Sequence, residues 1–164
     1  MPITISKPPK KLNKKNLDSI SIFLAGSIEM GKAEDWQLEL TKWLESNCPK
    51  EVNITIYNPR RDDWDSSWKQ DINEPQFYDQ VTWELDRIEN SDLVIIYFAP
   101  DTQSPISLLE LGKVAESGNP CIVCCPKGFW RKGNVDIVCY KKGIPVVENL
   151  TELKAAIGEY VGIT

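Results

Sequence analysis

The chain contains no histidine, which removes Ser-His-Asp and Cys-His catalysis and the usual imidazole metal ligands. Any acid–base or nucleophilic chemistry must come from carboxylates, Tyr, Lys, Cys or Ser, and 24 Asp plus Glu are present. The carboxylates that could act are those a helix turns toward apolar neighbours. Glu110 lies in the stretch SPISLLELGKVAESGNP, Ser104 to Pro120, one turn from Ser107 and on the same helical face as Ile106 and Val114. The alternative is an exposed ion pair with Lys113, three positions on. Glu84, within FYDQVTWELDRIEN (Phe77 to Asn90), shares a face with Gln80, Val81 and Ile88, whereas Asp86 reads as an exposed partner for a nearby cation. Asp62 belongs to NPRRDDWD, Asn58 to Asp65, where Arg60, Arg61, Asp62, Asp63 and Asp65 either pair among themselves or aim one carboxylate at a ligand. Trp64 and Trp68 are large rings in this polar loop, suited either to stacking on a planar ligand or to packing over the core.

The thiols are weaker candidates. Cys121, Cys124 and Cys125 with Cys139 suggest metal ligation by spacing, but Cys124 and Cys125 point to opposite faces of a strand. Five cysteines without an export signal are read as reduced, buried thiols, and no metal or organic cofactor is expected.

The elements that must position these groups follow from apolar periodicity. Ser21–Ala25 is a short strand ending at Gly26-Ser27, where Gly26 permits close backbone approach to a ligand and Ser27 offers a hydroxyl. GSIEMG is neither GxGxxG nor a P-loop. Trp36, Leu40, Trp43 and Leu44 mark a helix from Lys32 to Asn47, stopped by Cys48-Pro49. Val52–Tyr57 alternates and is β-branched, a second strand. The helix from Phe77 to Asn90 precedes the most hydrophobic run, Asp92–Phe98, a third strand. Ser104 then suits a helix cap, Pro105 its first position and Gly118 its end. Cys121–Cys125 is a fourth strand, Asn134–Tyr140 a helix, and Gly143–Val147 a last strand whose Pro145 suits a sheet edge. Leu150–Tyr160 closes the chain as a helix with Thr151 as cap. Strands alternating with helices give an α/β domain, residues 20–164, with a five-stranded, mostly parallel sheet covered on both faces.

Composition sets the boundaries. At 164 residues with 41% hydrophobic, the chain suits one domain. The basic run KPPKKLNKK falls in residues 1–19, read as a disordered tail or a weak tether to acidic surfaces. A net charge of −5 argues against nucleic acid as partner, and apolar runs far short of the roughly 20 residues of a spanning helix argue against a membrane. A cytoplasmic location is expected.

Taken in order, FLAGSIEMG, YNPRRDDW, FYDQVTWELDRIENSDLVIIYF, SPISLLELGKVAESGNP and FWRKGNV resemble the nucleoside 2-deoxyribosyltransferase family, in its branch with GSIE, NPRR and PISLLELG signatures, from about Ile20 to Val147. The resemblance implies a flavodoxin-like fold and transfer of a 2-deoxyribosyl group between nucleobases of free 2′-deoxynucleosides, with Glu110, the Glu of the ELG motif, as nucleophile. Glu84 and Asp62 are then the two candidates to contact or protonate the base. The substrate-binding set is Gly26, Ser27, Asn58, Arg60, Trp64, Gln80, Ser104 and Ser107, with Asn134 reaching in from a neighbouring subunit of a homo-oligomer. The family's better-known transferases carry Asp where this chain has Ser104. Related 5′-monophosphate glycosidases carry Ser there and use it with an Arg to hold phosphate, but that Arg position is Glu29 here, and an anion repels phosphate. The alternatives are an N-glycosidase acting on nucleosides or their 5′-monophosphates, with water as acceptor, and a non-catalytic nucleoside-binding module.

Overall fold

The computed structural model describes residues 3–10, 18–28, 34–61 and 67–163. The strands are β1 (Ile3–Ser6), β2 (Ser19–Gly26), β3 (Asn53–Tyr57), β4 (Leu93–Tyr97), β5 (Cys121–Cys124) and β6 (Val146–Val147). The helices are α1 (Trp36–Asn47), α2 (Pro75–Asn90), α3 (Pro105–Ser117), α4 (Lys132–Lys142) and α5 (Leu150–Val161). The strand order is β1-β3-β2-β4-β5-β6, and every neighbouring pair runs parallel. From β2 onward this is the flavodoxin-like order with helical crossovers.

The sheet has six strands rather than five. The extra strand comes from the stretch expected as tail: Ile3–Ser6 pairs with Ile54–Tyr57 along the otherwise open edge of β3. The chain then passes Lys10, whose carbonyl accepts from Trp83 Nε1 of α2 at 3.0 Å. Residues 11–15 of the basic run lie outside the described residues.

Period-two alternation divides the core into two layers. Ile22, Leu24, Ile95, Tyr97, Ile122 and Cys124 face Trp36, Leu40 and Leu44 of α1 and Leu153, Ile157 and Val161 of α5. Phe23, Val94, Ile96, Val123 and Cys125 face Trp83 and Ile88 of α2, Leu111 and Val114 of α3, and Val135 and Cys139 of α4. Cys124 and Cys125 do point to opposite faces, and all five thiols are free.

Two helix starts differ from the local rules. Asn149, not Thr151, caps α5, its side chain accepting from Glu152 N. Ser104 precedes α3 but sits at φ +47° and makes no capping bond.

Candidate active site

β2 and β4 are neighbours, yet the chain leaves β2 for β3 on one side and enters β4 on the other. Their carboxyl ends form the topological switch point where open α/β sheets bind ligands. The backbone there is fixed first. Gly26 has φ +133°, and a Cβ on it would collide with the backbone N and O of Tyr97 on β4. Its freedom serves strand-to-strand approach at this edge.

Ser27 is buried and its hydroxyl is fully engaged. Its Oγ donates to Tyr97 O at 3.2 Å and accepts from Ala99 N at 2.9 Å. The same oxygen bonds Thr102 Oγ1 at 3.0 Å and, closely, Ser104 Oγ. Thr102 and Ser104 are themselves joined at 2.7 Å. This triangle ties the end of β2 to the loop that launches α3, and it explains the left-handed backbone of Ser104: the side chain turns back toward Ser27 instead of capping the helix. Thr102 carries no periodic signal and was not legible as part of this cluster.

α3 then carries the central carboxylate. Its buried face holds Ser107, Glu110, Leu111, Val114 and Ala115. Glu110 is 8% exposed and its Oε2 has no hydrogen-bond partner among the described residues. Burial, then the charge of Glu84, push its carboxyl up to about 8. Ile106, expected to share this face, is instead 59% exposed. The ion-pair alternative does not form: Lys113 Nζ lies 2.7 Å from Glu89 Oε1.

α2 supplies the second carboxylate. Glu84 is raised to about 7 by burial, opposed by a hydrogen bond from Gln80. Gln80, one turn earlier and buried, donates through Nε2 to Glu84 Oε1 at 2.7 Å and to Pro59 O at 3.2 Å. Two desolvated carboxylates that feel each other's charge favour holding one proton between them near neutrality.

The loop after β3 is held from both sides. Asn58 Oδ1 accepts from Arg60 N at 3.0 Å, and Asn58 N donates to Ser6 O of β1 at 2.9 Å. Arg60 donates to Gln37 Oε1 at 3.2 Å and lies 3.4 Å from Asp35. Gln37, buried in α1, was not anticipated; its spacing from Leu40, Thr41 and Leu44 on the buried face of that helix was the available signal. Arg61 lies over the Trp68 ring at 4.8 Å, so that ring packs within the loop's own structure. Asp62, Trp64 and Glu29 lie outside the described residues. Asn134 is exposed in the first turn of α4, with no contact to the Glu110 side chain among the bonds of the described residues.

The geometry thus gathers Glu84, Gln80, Ser107 and Glu110 between α2 and α3 at the sheet's carboxyl edge. The sequence model of the family described as "Nucleoside 2-deoxyribosyltransferase like" matches residues 19–129. The chain belongs to this nucleoside 2-deoxyribosyltransferase-like family. The match runs from β2 into the loop after β5 and so contains both carboxylates. Among solved structures the chain is similar to one described as a conserved protein from Enterococcus faecalis V583, with 17% identity and a TM-score of 0.60, over 87% of this chain and 99% of that one. At that identity the likeness concerns the fold. No curated protein matches the chain significantly.

Proposed function

We propose that this member of the family transfers the 2-deoxyribosyl group between nucleobases of free 2′-deoxynucleosides, with Glu110 as nucleophile. The observation that carries the reading is the buried, unpartnered Glu110 Oε2 at the switch point. A carboxylate held dry and without a partner costs free energy that a purely structural position would not retain. A Glu110 oxygen bonds C1′ as the C1′–N bond breaks, and the electron pair leaves with the base. The base takes a proton from Glu84 or from Asp62. A ring nitrogen of the second base then attacks C1′, the ester opens to return the Glu110 carboxylate, and the incoming base gives its proton back to the same acid. Two inversions leave net retention.

The shared proton suits this cycle, because the nucleophile must be ionised while its neighbour is protonated. Positive charge developing on the sugar favours the ionised form of Glu110. Ser104, whose hydroxyl is spent on Ser27 and Thr102, is poorly placed to bind a phosphate, which supports free nucleosides over monophosphates.

A homo-oligomer is part of the same reading. Leu109 on α3 is 69% exposed and Tyr140 on α4 is 87% exposed, with Ile106, Ile137 and, in the loop before α4, Trp130 also exposed. A second copy covering these rings and aliphatic chains would exclude water from the ester. The exposure of Asn134 leaves it accessible to a neighbouring copy's site.

The test is a timed chromatographic assay with 2′-deoxyinosine as donor, with and without adenine. Formation of 2′-deoxyadenosine and hypoxanthine faster than free deoxyribose is the expected result, and its loss in Glu110→Gln assigns the nucleophile. Hypoxanthine and deoxyribose alone would mean hydrolysis. No reaction with any donor would mean a binding module.

A further inference from the structure

Gln80 presents an asymmetry that its neighbours do not explain. The residue is buried, both N–H groups of its side-chain amide are used, and its Oε1 is buried without a partner. An amide retained for hydrogen bonding in general would satisfy its oxygen as well. Here only the donors are employed, one on the Pro59 carbonyl at 3.2 Å and one on Glu84 Oε1 at 2.7 Å. A peptide carbonyl can only accept, so the amide nitrogen is fixed toward the loop and toward Glu84.

The consequence falls on Glu84. An oxygen that accepts from an amide N–H at 2.7 Å is the poor place for a carboxyl proton, because a hydroxyl there would set hydrogen against hydrogen. When Glu84 is protonated, the proton belongs on Oε2. We propose that Gln80 is a positioning residue that reserves Oε1 of Glu84 as an acceptor, leaves Oε2 as the proton-carrying oxygen, and locks that carboxyl to the loop following β3. The proposal rests on Glu84 being the acid that serves the base. Among the described residues, the groups that bear on Glu84 are Glu110 from α3, Gln80 from its own helix and, behind Gln80, the uncharged Pro59 carbonyl. Arg87, three positions on, is turned onto the Tyr57 ring at 4.6 Å.

The test compares wild type with Gln80→Met, which keeps length and loses both donors, and with Gln80→Glu, which keeps size and replaces a donor by an acceptor. The first readout is the side-chain carboxyl titration of Glu84 by ¹³C NMR in the full chain, its signal assigned by its absence in Glu84→Gln. Loss of the N–H must move the midpoint upward from about 7, and Gln80→Glu must move it further. A merely structural role predicts the opposite sign, since opening the pocket would let the midpoint fall toward 4.5. A midpoint that stays or falls overturns the proposal. The second readout is kcat with two donors. Gln80→Met should lower kcat about tenfold more on a 2′-deoxynucleoside, whose base needs a proton, than on a nitrophenyl 2-deoxyriboside, whose phenolate leaves without one. Equal losses on both donors would overturn it. Wild type inactive on every donor would count against the transferase reading, and the NMR midpoint would still decide the role of Gln80.

Discussion

At the amino ends of β4 and β5 a cleft of about 490 Å³ is lined by Leu93, Val114, Pro120, Cys121, Ile144 and Pro145, with Lys142 and Glu159 as its charged residues. At the carboxyl edge of the sheet the buried side chains include Ser27, Asn58, Gln80, Ser104, Ser107 and Glu110. The first region has room and little chemistry; the second has chemistry that folding alone would avoid. In the first region Lys142 finds a partner at the surface in Glu116, at 2.9 Å. In the second, Glu110 Oε2 and Gln80 Oε1 have none. Concavity is the weaker guide here, and unsatisfied burial at a switch point the stronger.

The sharpest way to break this comparison is Glu110→Gln. Base exchange should fall on the order of 10⁴-fold or more, the scale of losing a covalent nucleophile. Stability should move the other way. The folded carboxyl holds its proton up to about 8 against an ordinary 4.5, so the native state binds the proton more tightly than the unfolded chain. Wild-type stability is then full below 4.5 and declines as pH rises toward 8, at roughly 1.4 kcal/mol per pH unit for one such group. Glu110→Gln should flatten that decline and melt higher than wild type at pH 8. Thermal melts across this range that fall equally in both proteins would remove the desolvated carboxylate from the account.

Glycines test the same contrast without titration. Gly26 and Gly118 both have positive φ, but a Cβ at Gly26 meets the Tyr97 backbone, while nothing lies within 4 Å of one at Gly118. Gly26→Ala should cost roughly 3 kcal/mol or more through strain and overlap together. Gly118→Ala, at the end of α3, should cost about 1 kcal/mol through its left-handed φ alone. Denaturant midpoints that shift equally would show that the carboxyl edge is no more tightly built than the amino edge.

Much of this was legible in the sequence, and what was not has a common cause. β2, β3, β4 and β5 announce themselves because each is a run of β-branched or apolar residues buried on its own account. Glu84 and Glu110 were legible because helical spacing places each beside buried positions, Ile88 and Val114. β1 was hidden, since ITIS is short, lies beside KPPK, and is a strand only because β3 offers it an open edge some 50 positions away. Ser104 obeyed the local rule for a cap and was overruled by Ser27, 77 positions back. Ile106 was misplaced because the buried arc of α3 runs through Ser107, Glu110, Leu111, Val114 and Ala115, and Ile106 falls just outside it, on the side of Glu110 that faces solvent.

Between the two carboxylates the expected effects are smaller and more specific. Glu84→Gln should lower exchange roughly 10²-fold, the reach of one general acid, and should remove one limb of the pH–rate profile. It should also lower the Glu110 midpoint, because the Glu84 charge is part of what raises it. An unchanged profile would transfer the acid role to Asp62.

The smallest effect separates the two origins open to Glu110 from spacing alone. If Lys113 served Glu110, Lys113→Met would raise the Glu110 midpoint and depress exchange. Its ammonium instead sits 2.7 Å from Glu89, at the surface, where such a pair contributes about 0.2–1 kcal/mol and fades with salt. Lys113→Met should therefore leave exchange within about twofold and shift stability by no more than about 1 kcal/mol, with that shift shrinking as salt is added. A salt-independent loss of activity would return Glu110 to the role of an ordinary ion-pair partner, and the carboxyl edge would then differ from the amino edge in composition but not in purpose.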